Sequence, residues 1–107
     1  MTTAIGIDIG GTGIKGARVD ISSGELVSER VKYETPEHGH PGDVLDVVEQ
    51  ILSDLEGTQE DHTGICSPAI VTHGVTRSAA NVSADWIDLP AAAMFADSLE
   101  RDIHFVN

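Results

Sequence analysis

An acid, a hydroxyl and an amine stand around four glycines near the start of the chain: Asp8, Gly10, Gly11, Thr12, Gly13, Lys15 and Gly16. Glycine has no Cβ, so its backbone N–H groups can close on an anion and form a nest. Thr12 adds a hydroxyl donor, and Lys15 adds a compact positive charge. Asp8, at the end of a short apolar run, is placed to hold Mg²⁺ through water, because that ion takes few carboxylates and keeps its own waters. Together these residues are suited to gripping a phosphate chain.

Three other readings compete for the same glycines. Residues 11–16 are a literal G-x-G-x-x-G, the dinucleotide fingerprint. That site needs a helix starting inside the motif to hold the pyrophosphate. Here the next residues alternate, with Ala17, Val19 and Ile21 on one face and Arg18 and Asp20 on the other, and then meet a Ser22-Ser23-Gly24 turn. No helix fits in that space. A P-loop fails because no Gly-Lys-Ser/Thr is present. A purely structural hairpin using glycine for positive φ accounts for the glycines, but not for Asp8, Thr12 and Lys15.

The elements that must position these groups can be read from periodicity. Residues 4–8, 14–21 and 26–34 are expected to form three strands joined by tight turns, a meander rather than a βαβ unit. Residues 35–42 hold two prolines, two glycines and two histidines, a surface loop. Pro41 suits a first helical turn. Val44, Val47, Val48, Ile51 and Leu55 then recur at helical spacing up to Gly57, the expected stop. A short strand over 64–66 and another over 70–75 follow. Residues 78–88 read as irregular. Asp88 is the expected cap of a second helix with Pro90 in its first turn and Leu89, Ala92, Ala93, Ala96 and Leu99 inward. Ile103, Phe105 and Val106 begin a last strand. The order is that of an α/β layer with a mixed sheet.

Composition bounds the function. The 107 residues suffice for one domain, and the core must be aliphatic, since aromatics are 4%. Eighteen acids against six bases give a net charge of −12, which argues against general nucleic-acid or anionic-membrane binding. No apolar run is long enough to span a bilayer, residues 1–20 do not read as a signal peptide, and a single cysteine, Cys66, fits a reducing cytoplasm.

Asp8-Ile-Gly-Gly-Thr-Gly-Ile-Lys15-Gly resembles the phosphate-1 loop of the actin-like sugar kinases, and within them the ROK family. The Gly13-Ile14-Lys15-Gly16 continuation is closest to that family's polyphosphate-dependent glucokinases. Residues 68–75, Pro-Ala-Ile-Val-Thr-His-Gly-Val, resemble the sugar-side loop, with Ala69 where the wider family has glycine. Ser78-Ala79-Ala80-Asn81-Val82 with Trp86-Ile87 resembles the block that follows it. Residues 103–107 resemble the strand delivering an Asn-Asp pair.

The resemblance implies a ribonuclease H-like (actin-like ATPase) N-terminal lobe, a mixed sheet with a three-stranded opening meander and flanking helices. Residues 1–107 would be that lobe of a two-lobe kinase. It implies phosphoryl transfer from polyphosphate or ATP to the glucose 6-hydroxyl, with Mg²⁺. Gly10, Gly11, Thr12, Gly13 and Lys15 would bind phosphate, Asp8 the metal shell, and Asn81 and Asn107 the sugar. The family's catalytic base follows the position of Asn107, so none is expected within the chain, and the isolated lobe should be inactive. A homodimer of the full enzyme, self-association of the lobe and a cytoplasmic location are further expectations.

Other residues invite function. His38 and His40 form a His-x-His pair, but only Glu34 and Glu37 are near as further ligands, so a solvated loop is the default. His73 reads as surface or packing, and Cys66 as a small core residue with no partner base. Trp86 either walls a sugar pocket or fills the core. Arg18 and Arg77 are candidates to help a long polyphosphate. The competing functions are a sugar-responsive regulator and a non-catalytic interaction module.

Overall fold

The computed structural model describes residues 2–58, 60–67, 71–78 and 83–106. Ile5, Ile7 and Ile9 alternate along β1 (Thr3–Ile9) and all point to one side, where they are buried. Strand β1 is central in a five-stranded sheet of order β3-β2-β1-β4-β7. It pairs antiparallel with β2 (Gly13–Asp20), which pairs antiparallel with β3 (Val31–Glu34). On its other edge β1 pairs in parallel with β4 (His62–Cys66), and β4 pairs in parallel with β7 (Ile103–Val106). A separate hairpin joins β5 (Val71–Thr72) to β6 (Val75–Thr76).

Helices α1 (Pro41–Asp54) and α2 (Ala91–Leu99) supply the apolar cover. The α1 stripe of Val44, Val48 and Ile51 is buried, as its spacing requires. It meets the sheet at Gly16, where a Cβ would lie 2.4 Å from Ile51 Cγ2. That close approach, not a turn, explains the fourth glycine of the cluster. Phe95 of α2, Phe105 of β7 and Trp86 form an aromatic cluster with Phe95 and Phe105 edge to face, 5.5 Å between ring centres. Trp86 is thus a core residue, and its Nε1–H donates to Gly39 O at 2.7 Å.

Several expectations need correction. The third strand is short: Leu26 makes only an isolated bridge to Val19, and regular pairing starts at Val31. One strand was expected over 70–75, whereas the chain folds back at His73-Gly74 and forms two. Gly57 does not carry the left-handed turn that ends α1. Glu56 does, at φ 55°, with Glu56 N–H donating to Ser53 O and Gly57 N–H to Leu52 O. Gly57 instead lets Ile5 approach, since a Cβ there would sit 2.8 Å from Ile5 Cδ1. Asp88 does not cap α2. It lies at φ 59° and accepts from Arg77, while α2 starts after Pro90 without a side-chain cap. The residues α2 buries most deeply are Ala91 and Phe95, and Ala93 is exposed.

Ala17 and Val19 look to the side no helix covers, and Arg18 looks to the α1 side. There its guanidinium pairs with Asp61 at 2.8 Å and donates to Leu55 O at 3.0 Å. The Asp61 hydrogen bond raises the Arg18 pKa, and Arg18 holds the Asp61 carboxyl below its ordinary value.

Candidate phosphate-binding site

The turn between β1 and β2 is fixed from behind. Gly10 N–H donates to Gly13 O at 2.9 Å, Thr35 N–H to Thr12 O at 3.2 Å, and the Thr35 hydroxyl to Gly10 O at 2.7 Å. The loop after β3 therefore anchors the turn by its carbonyls. The N–H groups of Gly11 and Thr12 and the Thr12 hydroxyl donate to no described residue, and both residues are exposed. These free amides and this free hydroxyl on a pre-set turn are donors available to an anion.

None of Gly10, Gly11, Gly13 and Gly16 has a positive φ, so the hairpin does not use them for that freedom. What matters is space. A Cβ on Gly10 would come within 2.8 Å of Gly13 O, and one on Gly13 within 2.9 Å of Lys32 Cε. Gly10 itself offers no N–H to a ligand, because its amide is spent on Gly13.

Asp8 and Lys15 are cross-strand partners in register, so both side chains rise on the uncovered face beside the turn. Asp8 is exposed, and its carboxylate makes no hydrogen bond or ion pair with a described residue. Among the described residues no group of three or more His, Cys, Asp or Glu could hold a metal. A free carboxylate beside these donors fits the chemistry of Mg²⁺, which needs only one or two carboxylates when phosphates supply the rest.

The uncovered face forms a trough of about 440 Å³ floored by Gly6, Gly64 and Ala17, with Asp8, Lys15 and Arg30 on its walls. Cys66 lines it too and is only partly buried, contrary to the core role expected of it. Asn81 and Asn107, expected at the sugar, lie outside the described residues, as do Pro68, Ala69 and Ile70 of the sugar-side loop. Arg18 and Arg77, suggested for a long donor, are already held by Asp61 and Asp88. Two further cations stand nearby, Lys32 with its stem against Gly13 and Arg30 on the trough wall. The signal for both was present in the alternation of Arg30-Val31-Lys32, which turns the two cations to one side and Val31 to the other.

His40 Nδ1 lies 3.0 Å from Ser83 Oγ and 3.2 Å from Asp85 Oδ2, so it joins two loops. Among the described residues, no helix is long and apolar enough to cross a membrane.

The chain is similar to known proteins. The chain is 40% identical over 82 residues, 77% of its length, to the polyphosphate glucokinase of Mycobacterium tuberculosis. It spans about 30% of the length of that relative. The structure of the inorganic polyphosphate/ATP-glucomannokinase from an Arthrobacter strain superposes on the whole chain with a TM-score of 0.92 at 37% identity, and the match covers 44% of that protein. A ROK glucokinase from Streptomyces griseus, solved with glucose and AMPPNP, matches 96% of the chain and 32% of its own at TM-score 0.80 and 24% identity, a likeness of fold. The fold is that of the actin-like ATPases, as the resemblance implied. With residues 4–107 matched by the ROK family model, the chain belongs to the ROK family.

Proposed function

We propose that this chain is the N-terminal lobe of a two-lobe sugar kinase that moves a phosphoryl group from polyphosphate or ATP to the 6-hydroxyl of glucose. The observation that carries the reading is the β1–β2 turn: two unpartnered amides and a hydroxyl, with Asp8 and Lys15 in register beside them. The relatives named for polyphosphate support the donor class.

Phosphoryl transfer is mostly positioning and charge neutralisation. Gly11 and Thr12 would donate to oxygens of the donor, and the missing Cβ atoms at Gly10 and Gly13 keep the turn tight enough to bring them close. Lys15 would neutralise the charge that builds on the donor. Asp8 would hold the water shell of Mg²⁺, which when bound screens the phosphate oxygens. Asn81 and Asn107 would bind sugar hydroxyls, since amides both donate and accept. The general base and the second lobe are to be sought outside this chain, so the chain by itself turns over no glucose.

The test is a titration of polyphosphate with Mg²⁺, followed by amide chemical shifts. Gly11, Thr12 and Lys15 should move first, and Asp8→Asn should weaken only the Mg²⁺-dependent part of the response. If another surface responds while the turn stays still, the phosphate reading is wrong and a non-catalytic interaction module takes its place.

A further inference from the structure

The peptides of the β1–β2 turn are trans, and a trans peptide sets its C=O and the following N–H in opposite directions. Whatever grips the carbonyl therefore aims the amide. Thr35 grips two of these carbonyls. Its hydroxyl donates to Gly10 O at 2.7 Å, and its own N–H donates to Thr12 O at 3.2 Å. The first bond fixes the plane of the Gly10–Gly11 peptide, so the Gly11 N–H is held pointing away from Thr35. The second fixes the Thr12–Gly13 peptide. The peptide between them, which carries the Thr12 N–H, is left with little freedom. Glycines need such an outside brace more than other residues, because a backbone without Cβ has more conformations to lose. Thr35 is itself held in place. Pro36 follows it and disfavours helical backbone at Thr35, which keeps the chain extended as it leaves β3. Gly39 N–H donates to Pro36 O at 2.8 Å, the buried Trp86 Nε1–H donates to Gly39 O at 2.7 Å, and His40 Nδ1 lies 3.0 Å from Ser83 Oγ. Residues 35–40 are thus a short strap, tied to the turn at one end and to the 83–86 segment at the other.

We propose that Thr35 is a positioning residue for the β1–β2 turn: it holds the Gly10 and Thr12 carbonyls back, so that the Gly11 and Thr12 amides are set for an anion before the anion arrives. The inference rests on the phosphate reading of that turn and adds what preorganises it. A turn already fixed loses less freedom on binding than one the ligand must order, so the brace contributes to affinity without touching the ligand.

The experiment titrates inorganic tripolyphosphate with Mg²⁺ into the chain and into its T35V and T35S variants, followed by calorimetry and amide shifts. Valine keeps the branched shape and the backbone N–H and removes only the hydroxyl. In T35V the affinity should fall about three- to tenfold, as expected for one lost hydrogen bond. The amide nitrogen resonance of Gly11 in the unliganded protein, which reports the hydrogen bond on the Gly10 carbonyl, should move as well. T35S keeps the hydroxyl and should restore both. A lower urea midpoint in T35V with unchanged affinity would make Thr35 a contact of the fold alone and overturn the positioning role, as would T35S binding as weakly as T35V. In either case continued shifts at Gly11 and Thr12 on titration would leave the turn's role intact. Silence at the turn of the parent chain would sink the phosphate reading and the role of Thr35 together.

Discussion

The two faces of the sheet come from the same alternating strands and do opposite work. On the helix side Ile5, Ile7, Ile9, Ile14 and Ile65 are buried under α1 and α2, and the one glycine of β2 there, Gly16, lets Ile51 seat against the backbone. On the other side Gly6, Gly64 and Ala17 leave a floor without bulk, and Asp8, Lys15 and Lys32 stand free at its turn-proximal end. Glycine on the covered face is a packing residue, whereas glycine on the open face makes room. The contrast separates positions where bulk is a steric fault from positions where it is nearly free, and it separates charges tied to the fold by ion pairs from charges outside any ion pair among the described residues.

Gly16→Ala tests the covered face most severely. Its Cβ would meet a β-branched side chain on a buried helix that has one good rotamer. Overpacking there should cost about 1–3 kcal/mol, read as a lower urea midpoint. A neutral result would mean that α1 shifts easily and that the two faces differ less than described.

The Arg18–Asp61 pair gives a smaller and pH-dependent effect. Asp61→Asn should cost about 1 kcal/mol near pH 7, since the pair is mostly buried and Asp61 also accepts from Thr58 N–H. Because Asp61 is held below its ordinary pKa, its stabilisation is complete above the unfolded value of about 3.9 and fades as pH falls through the lower folded one. The gap between parent and variant in chemical denaturation should therefore close on acidification. A gap as wide at about pH 2 as at neutrality would show that the carboxylate charge is not its source.

The smallest change is expected on the open face. No atom lies within 4 Å of a Cβ built on Gly64, and its φ is not positive. Gly64→Ala should be neutral or should stabilise by up to about 1 kcal/mol, because alanine restricts the unfolded chain. A loss comparable with that of Gly16→Ala would erase the distinction between the faces.

The contrast also marks how far the sequence could be read. The meander, the α1 stripe from Val44 to Leu55, the terminal strand at Ile103 and the free donors of the β1–β2 turn follow from local chemistry: alternation, helical spacing and glycines interleaved with donors. Local chemistry failed where two elements had to meet. Ala17 and Val19 alternate like core residues, but whether a helix covers them depends on where α1 crosses. Gly57 resembled a helix stop, yet Glu56 takes the left-handed turn and Gly57 accommodates Ile5. Asp88 resembled a cap, yet Arg77 claims it.

By itself the sequence determined the donor set of the turn and the period of each element, because both depend on residues adjacent along the chain. Tertiary structure decided which donors remain free. It spent the Gly10 amide on Gly13, tied Arg18 to Asp61, and set Lys15 between Asp8 and Lys32. Those outcomes depend on strand register and helix placement, which bring together residues far apart in the chain and which no local pattern encodes.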